Sequence, residues 1–267
     1  MYTAGLAWIL SVIVASSYVV AIRWRVPGSI GALPRDHPSV IRFRFYRVSI
    51  LCMSLLTGLP CILTATGAYT SIKEVFSAFY FKPNGIPSAL ILSLVLYCGP
   101  IANYIYITRL QDLGPDTIST FFTLDGLRDH VFAPVTEEVI YRSMIMACLL
   151  PVVGPNSSIL FSPLLFGIAH IHHAYELIIG GSSPLSVAVP TGFQISYTTL
   201  FGVAAAKMFV GSRSVWCSVV LHMVCNVGGI PGPPTGGNTW KFVYVFLCIA
   251  GLGVFIWETC KCKLQIL

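Results

Sequence analysis

Charge is what this sequence has least of. Its 267 residues include 16 lysines and arginines and 10 aspartates and glutamates, so 10% are charged. A soluble domain carries roughly 25%. That deficit, with 55% hydrophobic residues, excludes an ordinary water-soluble globule and predicts a chain that is mostly dissolved in lipid. Other absences narrow the chemistry. There is no CxxC pair and no zinc-ligand spacing among the nine cysteines, so neither a disulfide framework nor a structural zinc site is expected. HExxH, the paired-ligand helix of many metalloproteases, is missing, and so is the GxSxG elbow of serine hydrolases. The net charge of +6 comes without a basic stripe carrying interleaved aromatics, which argues against nucleic-acid binding. No basic region precedes the first apolar run and no A-x-A site follows it, so that run is expected to be a retained span. No KDEL-type signal and no internal repeat are evident.

What is present is a succession of apolar runs, each about long enough to cross a bilayer at roughly 20 residues per span. They lie at Ala4–Ile22, Val48–Ile72, Pro87–Ile107 (with a kink expected at Pro100), from Val131 onward, Ser158–Ile179, Phe193–Val210, Val215–Ile230 and Trp240–Trp257. Residues 109–130 are more polar and read as an amphipathic approach. Because lipid offers the backbone no hydrogen bonds, the expected fold is all-α. It is a polytopic membrane helical bundle of about eight transmembrane helices, one domain over 1–267, with its catalytic core at about 109–230. The loop "RWRVPGSIGALPRDHPSVIRFRFYR" sets six arginines against one aspartate and is expected to face the cytosol. Cys260 and Cys262 read as part of a free tail.

Ionisable groups at membrane depth cost about 2.5–3.5 kcal/mol each on insertion scales, so they persist where they face a protein interior or a wet cavity. Three runs carry them. "APVTEEVIYR" holds Glu137, Glu138 and Arg142. On a helix Glu138 and Arg142 are i,i+4 partners, while Glu137 points about 100° away and remains available for proton transfer. "FGIAHIHHAYE" places Phe166 and His170 on one face, with His173 three residues beyond His170. "LHMVCN" places His222 and Asn226 at i,i+4, where both can donate to an oxyanion. Each set alone also fits a structural role, as an ion-pair cluster, a satisfied core histidine or a helix–helix polar clasp. Together they form a complete set for amide hydrolysis. Glu137 and His170 could activate a water and His222 and Asn226 could stabilise the tetrahedral oxyanion, with no serine or cysteine nucleophile. Three other readings stay open. Glu137, His170 and His222 could ligate zinc; Cys225 could act as a nucleophile; and buried Glu, His and Arg also mark proton-coupled transporters.

The motifs "EEVIYR", "FGIAH" and "HMVCN", in this order on separate runs, resemble the EExxxR, FxxxH and HxxxN motifs of the type II CAAX prenyl endopeptidases, within the wider CAAX-protease and bacteriocin-processing family. "SSYVVAIRW", "RDHPSVIRFRF" and "LRDHVFAPVTEE" extend the resemblance over about residues 9–230. The resemblance implies an endopeptidase of the endoplasmic reticulum membrane with a polar cavity open to the cytosol. Its implied substrates are proteins ending in a prenylated CAAX box, such as small GTPases, from which the last three residues are removed. It puts the water-activating pair on Glu137 and His170 and the oxyanion pair on His222 and Asn226. Glu138, Arg142, Phe166 and His173 are supporting residues, and no cofactor or metal is expected.

Overall fold

The computed structural model describes residues 1–108 and 112–261. Cys262 and residues 109–111, the first of the expected core, lie outside the described residues. Among the described residues there is no strand. The principal helices are α1 (Ala4–Arg23), α2 (Pro38–Ala65), α3 (Ile86–Leu96), α4 (Cys98–Ile107), α5 (124–153), α6 (Pro155–Ala169), α7 (Ile171–Ile179), α8 (Pro184–Ser212), α9 (Val215–Gly228) and α10 (Asn238–Lys261). Among the described residues, α1, α2 and α10 are long and apolar enough to cross a membrane, and α3 with α4 makes a fourth crossing if a pair bent by 66° counts as one span. Apolar side chains on their outer faces are exposed, among them Ile9 and Ile13 on α1, Met53 on α2 and Phe246 and Ile249 on α10. Apolar surface on this scale needs lipid around it. The protein is therefore an all-helical membrane protein.

α5 is the central element. Every residue from 138 to 149 is buried, as expected of a helix with protein on all sides. Two segments of it, Arg128–Phe132 and Val139–Met144, are wound as π-helix, a widening that recurs at functional sites. α1 packs antiparallel along α5. Ala7, Ser11, Val14, Tyr18 and Ala21 form its buried stripe, at alternating spacings of four and three that keep one helical face inward. The register is pinned at three levels. Tyr2 Oη donates to the Cys148 carbonyl (2.7 Å), Tyr141 Oη to the Ala15 carbonyl (3.2 Å), and Tyr18 Oη to Glu137 Oε1 (3.2 Å). On the other side α6 and α8 pack closely at small residues. A Cβ on Gly202 would stand 2.7 Å from the Pro163 Cβ and 3.4 Å from an Arg142 guanidinium nitrogen. Gly202 therefore lets α8 close over the buried arginine.

Several element boundaries differ from those read in the sequence, for identifiable reasons. The second helix begins at Pro38, ten residues before the expected apolar start at Val48, and ends at Ala65. His37 caps it by accepting from the Ser39 N–H, and its first turns carry Arg42, Arg44 and Arg47. The expected kink of the third run lies at Tyr97, between α3 and α4. Pro100 causes it from three residues downstream, since a proline ring clashes with the carbonyl four positions earlier, here that of Leu96. The fifth run is two helices, α6 and α7, with His170 at the break. α8 starts at Pro184, nine residues before the expected start at Phe193. Proline at a helix start forfeits no hydrogen bond. Cys260, expected in a free tail, is within α10.

Candidate active site

α5, α6, α7 and α9 bring the polar residues of the three motifs together, with α1 completing the set. Glu138 is fully buried. Its Oε2 lies 3.0 Å from Arg142 Nε, on the next turn of α5, and its Oε1 lies 2.8 Å from His222 Nδ1 on α9. Arg142 is 2% exposed. Its guanidinium lies over the Phe166 ring (4.6 Å to the centroid) and within 5.7 Å of the Phe201 centroid. The buried cation is thus held by one carboxylate and by the negative faces of two aromatic rings.

Glu137 takes a different environment, as its offset on the helix requires. It keeps 18% exposure, accepts a hydrogen bond from Tyr18 and stands with Oε2 3.9 Å from His222 Nε2. The two adjacent glutamates therefore address opposite nitrogens of one imidazole. Of the eight residues singled out in the sequence, Glu137, Glu138, Arg142, Phe166 and His222 are in this one cluster.

His170 sits at the α6–α7 break, where its Nδ1 approaches the Phe166 carbonyl (2.8 Å). A carbonyl only accepts, so Nδ1 carries the hydrogen of this bond, and in the neutral ring Nε2 presents a lone pair. Phe166 meets the His170 ring edge to face at 4.9 Å and the His222 ring at 6.0 Å, which makes it the spacer between the two histidines. Asn226, on the exposed end of α9, donates from Nδ2 to the Asp129 carbonyl (2.7 Å). That bond orients the amide and leaves its second N–H unassigned. His173 is turned to Glu176 (Nδ1–Oε2, 3.2 Å), and Glu176 in turn pairs with Arg23.

Two cavities meet at this cluster. One, of about 100 Å³, is lined by Tyr18, Glu137, His170 and His173, among others. The other, of about 410 Å³, is lined by His170, Phe201, His222 and Asn226 and by the apolar rings of Phe193 and Tyr197. His170 and Phe166 belong to both. Glu137 thus opens on one side of His170, and the pair His222 and Asn226 on the other. A third cavity of about 1070 Å³ adjoins the first through Arg35, Arg44 and His172. Its walls are mostly apolar residues of α1, α2, α7 and α8. Among the described residues, no three His, Cys, Asp or Glu side chains are grouped as they would need to be to hold a metal ion. Cys225 is buried, and its carbonyl accepts from Tyr97 Oη at 3.4 Å.

Tyr18, like Phe201 and Asp129, is against the candidate site although the sequence did not single it out. A tyrosine in an apolar run reads as membrane-facing, and only the antiparallel register of α1 on α5 turns it toward Glu137.

Comparison with known proteins agrees with the motif pattern. Residues 119–228 match the family model described as type II CAAX prenyl endopeptidase Rce1-like, a range that holds all eight residues singled out in the sequence. The chain is 31% identical over 229 residues to the CAAX prenyl protease 2 of Saccharomyces cerevisiae, covering 74% of this chain and 72% of that protein. It is 34% identical over 216 residues to the human protein of the same name, covering 74% of this chain and 64% of the human one. The probable CAAX prenyl protease 2 of Schizosaccharomyces pombe is 26% identical over 263 residues, covering 93% and 90% of the two chains. No solved structure matches.

Proposed function

The chain belongs to the type II CAAX prenyl endopeptidase family, and from that membership we propose that it removes the C-terminal aaX tripeptide from prenylated CAAX proteins, such as small GTPases, at the endoplasmic reticulum membrane. The observation that carries the catalytic reading is the approach of Glu137 and Glu138 to opposite nitrogens of His222, beside cavities that share His170.

In the proposed reaction a water between Glu137 and His170 gives its proton to the Glu137 carboxylate while its oxygen attacks the carbonyl carbon of the prenylated cysteine. His170 Nε2 accepts the water's other hydrogen and so aims the lone pair. The carbonyl oxygen becomes an oxyanion and takes hydrogen bonds from His222 Nε2–H and from the second N–H of Asn226. Glu137 then delivers its proton to the amide nitrogen, the C–N bond breaks, the new carboxylic acid gives its remaining proton to the released amine, and the prenylcysteine carboxylate and a tripeptide ammonium separate. Glu138 holds Nδ1–H of His222, so a hydrogen on Nε2 makes the ring an imidazolium. That charge balances the cluster, because two carboxylates then face Arg142 and His222. The aromatic cavity of about 410 Å³ takes the isoprenoid, whose buried CH₂ groups contribute about 0.8 kcal/mol each.

The proposed membrane arrangement has about eight crossings: α1, α2, the bent α3–α4 pair, α5, the broken α6–α7 pair, α8, α9 and α10. α9 has 14 residues, a rise of about 21 Å, and is tolerated at that depth because its backbone is enclosed by protein. Arg23, Arg35, Arg44 and Arg128 line or flank the cavities at one end of the bundle, which is placed on the cytosolic side by the positive-inside rule.

The test is cleavage by the purified protein. Metal-free protein treated with chelator is expected to release the tripeptide from a farnesylated CAAX peptide and to leave the unprenylated peptide intact. Release that stops on chelation and returns with zinc would favour a metal-dependent protease using the same residues. Solute flux across sealed vesicles without cleavage would favour a transporter.

A further inference from the structure

Four arginines and three carboxylates surround the junction between the 100 Å³ and 1070 Å³ cavities, and their pairing leaves one cation over. Arg128 bonds to Asp129 through both Nε and a terminal nitrogen (2.7 and 2.6 Å) and reaches Asp36 at 2.9 Å. Arg35 stands 3.5 Å from the same Asp129. These two arginines and two aspartates balance. Arg23 and Arg44 share the single carboxylate of Glu176. Arg23 is in direct contact with its Oε1, His173 takes its Oε2, and Arg44 is left 3.8 Å from the oxygen that Arg23 already holds. Among the described residues no hydrogen bond to the Arg44 side chain is found, yet that side chain is only 19% exposed. A largely enclosed guanidinium without a committed acceptor is expensive, and five forked donors suit a carboxylate.

Arg44 lines both the cavity that contains Glu137 and His170 and the larger apolar one beside it. We propose that Arg44 binds the free α-carboxylate at the C-terminus of the substrate peptide. The inference rests on the proteolytic reading above. In an aaX tripeptide the terminal carboxylate lies three residues from the scissile carbonyl, about 10 Å in an extended chain. The two aliphatic side chains then lie against apolar walls such as Val19, Ile22 and Val40, while the prenylated cysteine lies on the other side of His170. An anchor at this distance makes a cut three residues from the end the favoured one, since a longer or shorter tail moves a different peptide bond to Glu137.

The experiment compares a farnesylated CAAX peptide bearing a free C-terminal acid with the same peptide as its amide. The wild-type protein is expected to prefer the acid by about tenfold to a hundredfold in kcat/KM. Most of that difference is expected in KM, because the contact is remote from the reacting atoms and is made equally before and during the reaction. Arg44→Gln is expected to bring the acid-to-amide ratio toward one, and Arg44→Lys to restore part of it. Arg42→Gln, an exposed neighbour on the same helix, is expected to keep the wild-type ratio. If Arg44→Gln does not fold, the ratio in Arg44→Lys, reduced or unchanged from wild type, decides. Equal cleavage of acid and amide by the wild-type protein would overturn the proposal, as would a full preference retained in either Arg44 variant. Wild-type protein that releases nothing from the acid peptide would instead remove the proteolytic reading on which it rests.

Discussion

Replacing Glu137 by glutamine is expected to lower kcat for tripeptide release by about 10²- to 10⁴-fold, toward the upper end of that range, with the protein still folded. The proposed carboxylate acts twice, first taking a proton from water and then giving one to the leaving nitrogen, and an amide can do neither. The effect on stability is small for a separate reason. Glu137 is partly open to its cavity, and its closest partner among the described residues is the Tyr18 hydroxyl at 3.2 Å, from which a glutamine oxygen accepts as well. The melting transition of Glu137→Gln in detergent is therefore expected to differ from wild type by less than about 1 kcal/mol. KM should change little, because the substitution removes an interaction made only in the transition state. A variant that is equally active would remove Glu137 from the mechanism. A variant that is inactive and also unfolded would make it part of the structural cluster.

The adjacent position predicts the reverse pattern. Arg142→Met is expected to destabilise the protein by about 3–5 kcal/mol, because it leaves Oε2 of the buried Glu138 carboxylate without the guanidinium that faces it at 3.0 Å. Arg142→Lys is expected to recover only part of that loss. An ammonium keeps the charge but not the planar stack over Phe166 and Phe201. Glu138→Gln combined with Arg142→Met is expected to be clearly more stable than Arg142→Met alone, since a buried pair replaced by neutral groups of similar volume is often near neutral. Thermal unfolding of the four proteins in one detergent reads this directly. If the double variant were no more stable than the single one, the loss would come from packing around the arginine and not from an unpaired charge.

The pairing of Glu138 with Arg142 was legible because four residues on a helix bring side chains to the same face whatever surrounds them. The same local logic separated Glu137 from Glu138. It did not reveal that both converge on His222, which depends on how α9 packs against α5. The break at His170 was hidden for a related reason: nothing between Gly167 and Tyr175 is a proline or glycine, and the π-helical segments of α5 carry no marker at all. The start of α2 was hidden by charge. Arg42, Arg44 and Arg47 made a helix look like a loop, because their long side chains can reach polar surroundings while the backbone beneath them remains helical. The apolar composition identified the outer helices, α1 to within one residue and α10 to within two residues at its start and four at its end. It said less about the inner ones, whose neighbours are other parts of the protein. The three motifs lie on those inner helices, so their order in the sequence was informative and their mutual geometry was not.

The central claim is that one peptide bond is held between Glu137 and His170 on one side and His222 and Asn226 on the other. A structure of the Glu137→Gln protein with an uncleaved farnesylated CAAX peptide tests it most directly. The scissile carbonyl oxygen is expected at about 3 Å from His222 Nε2 and Asn226 Nδ2, with a water between residue 137 and His170. A peptide bound with that carbonyl turned away from His222, or seated outside the cavities that His170 joins, would contradict the account.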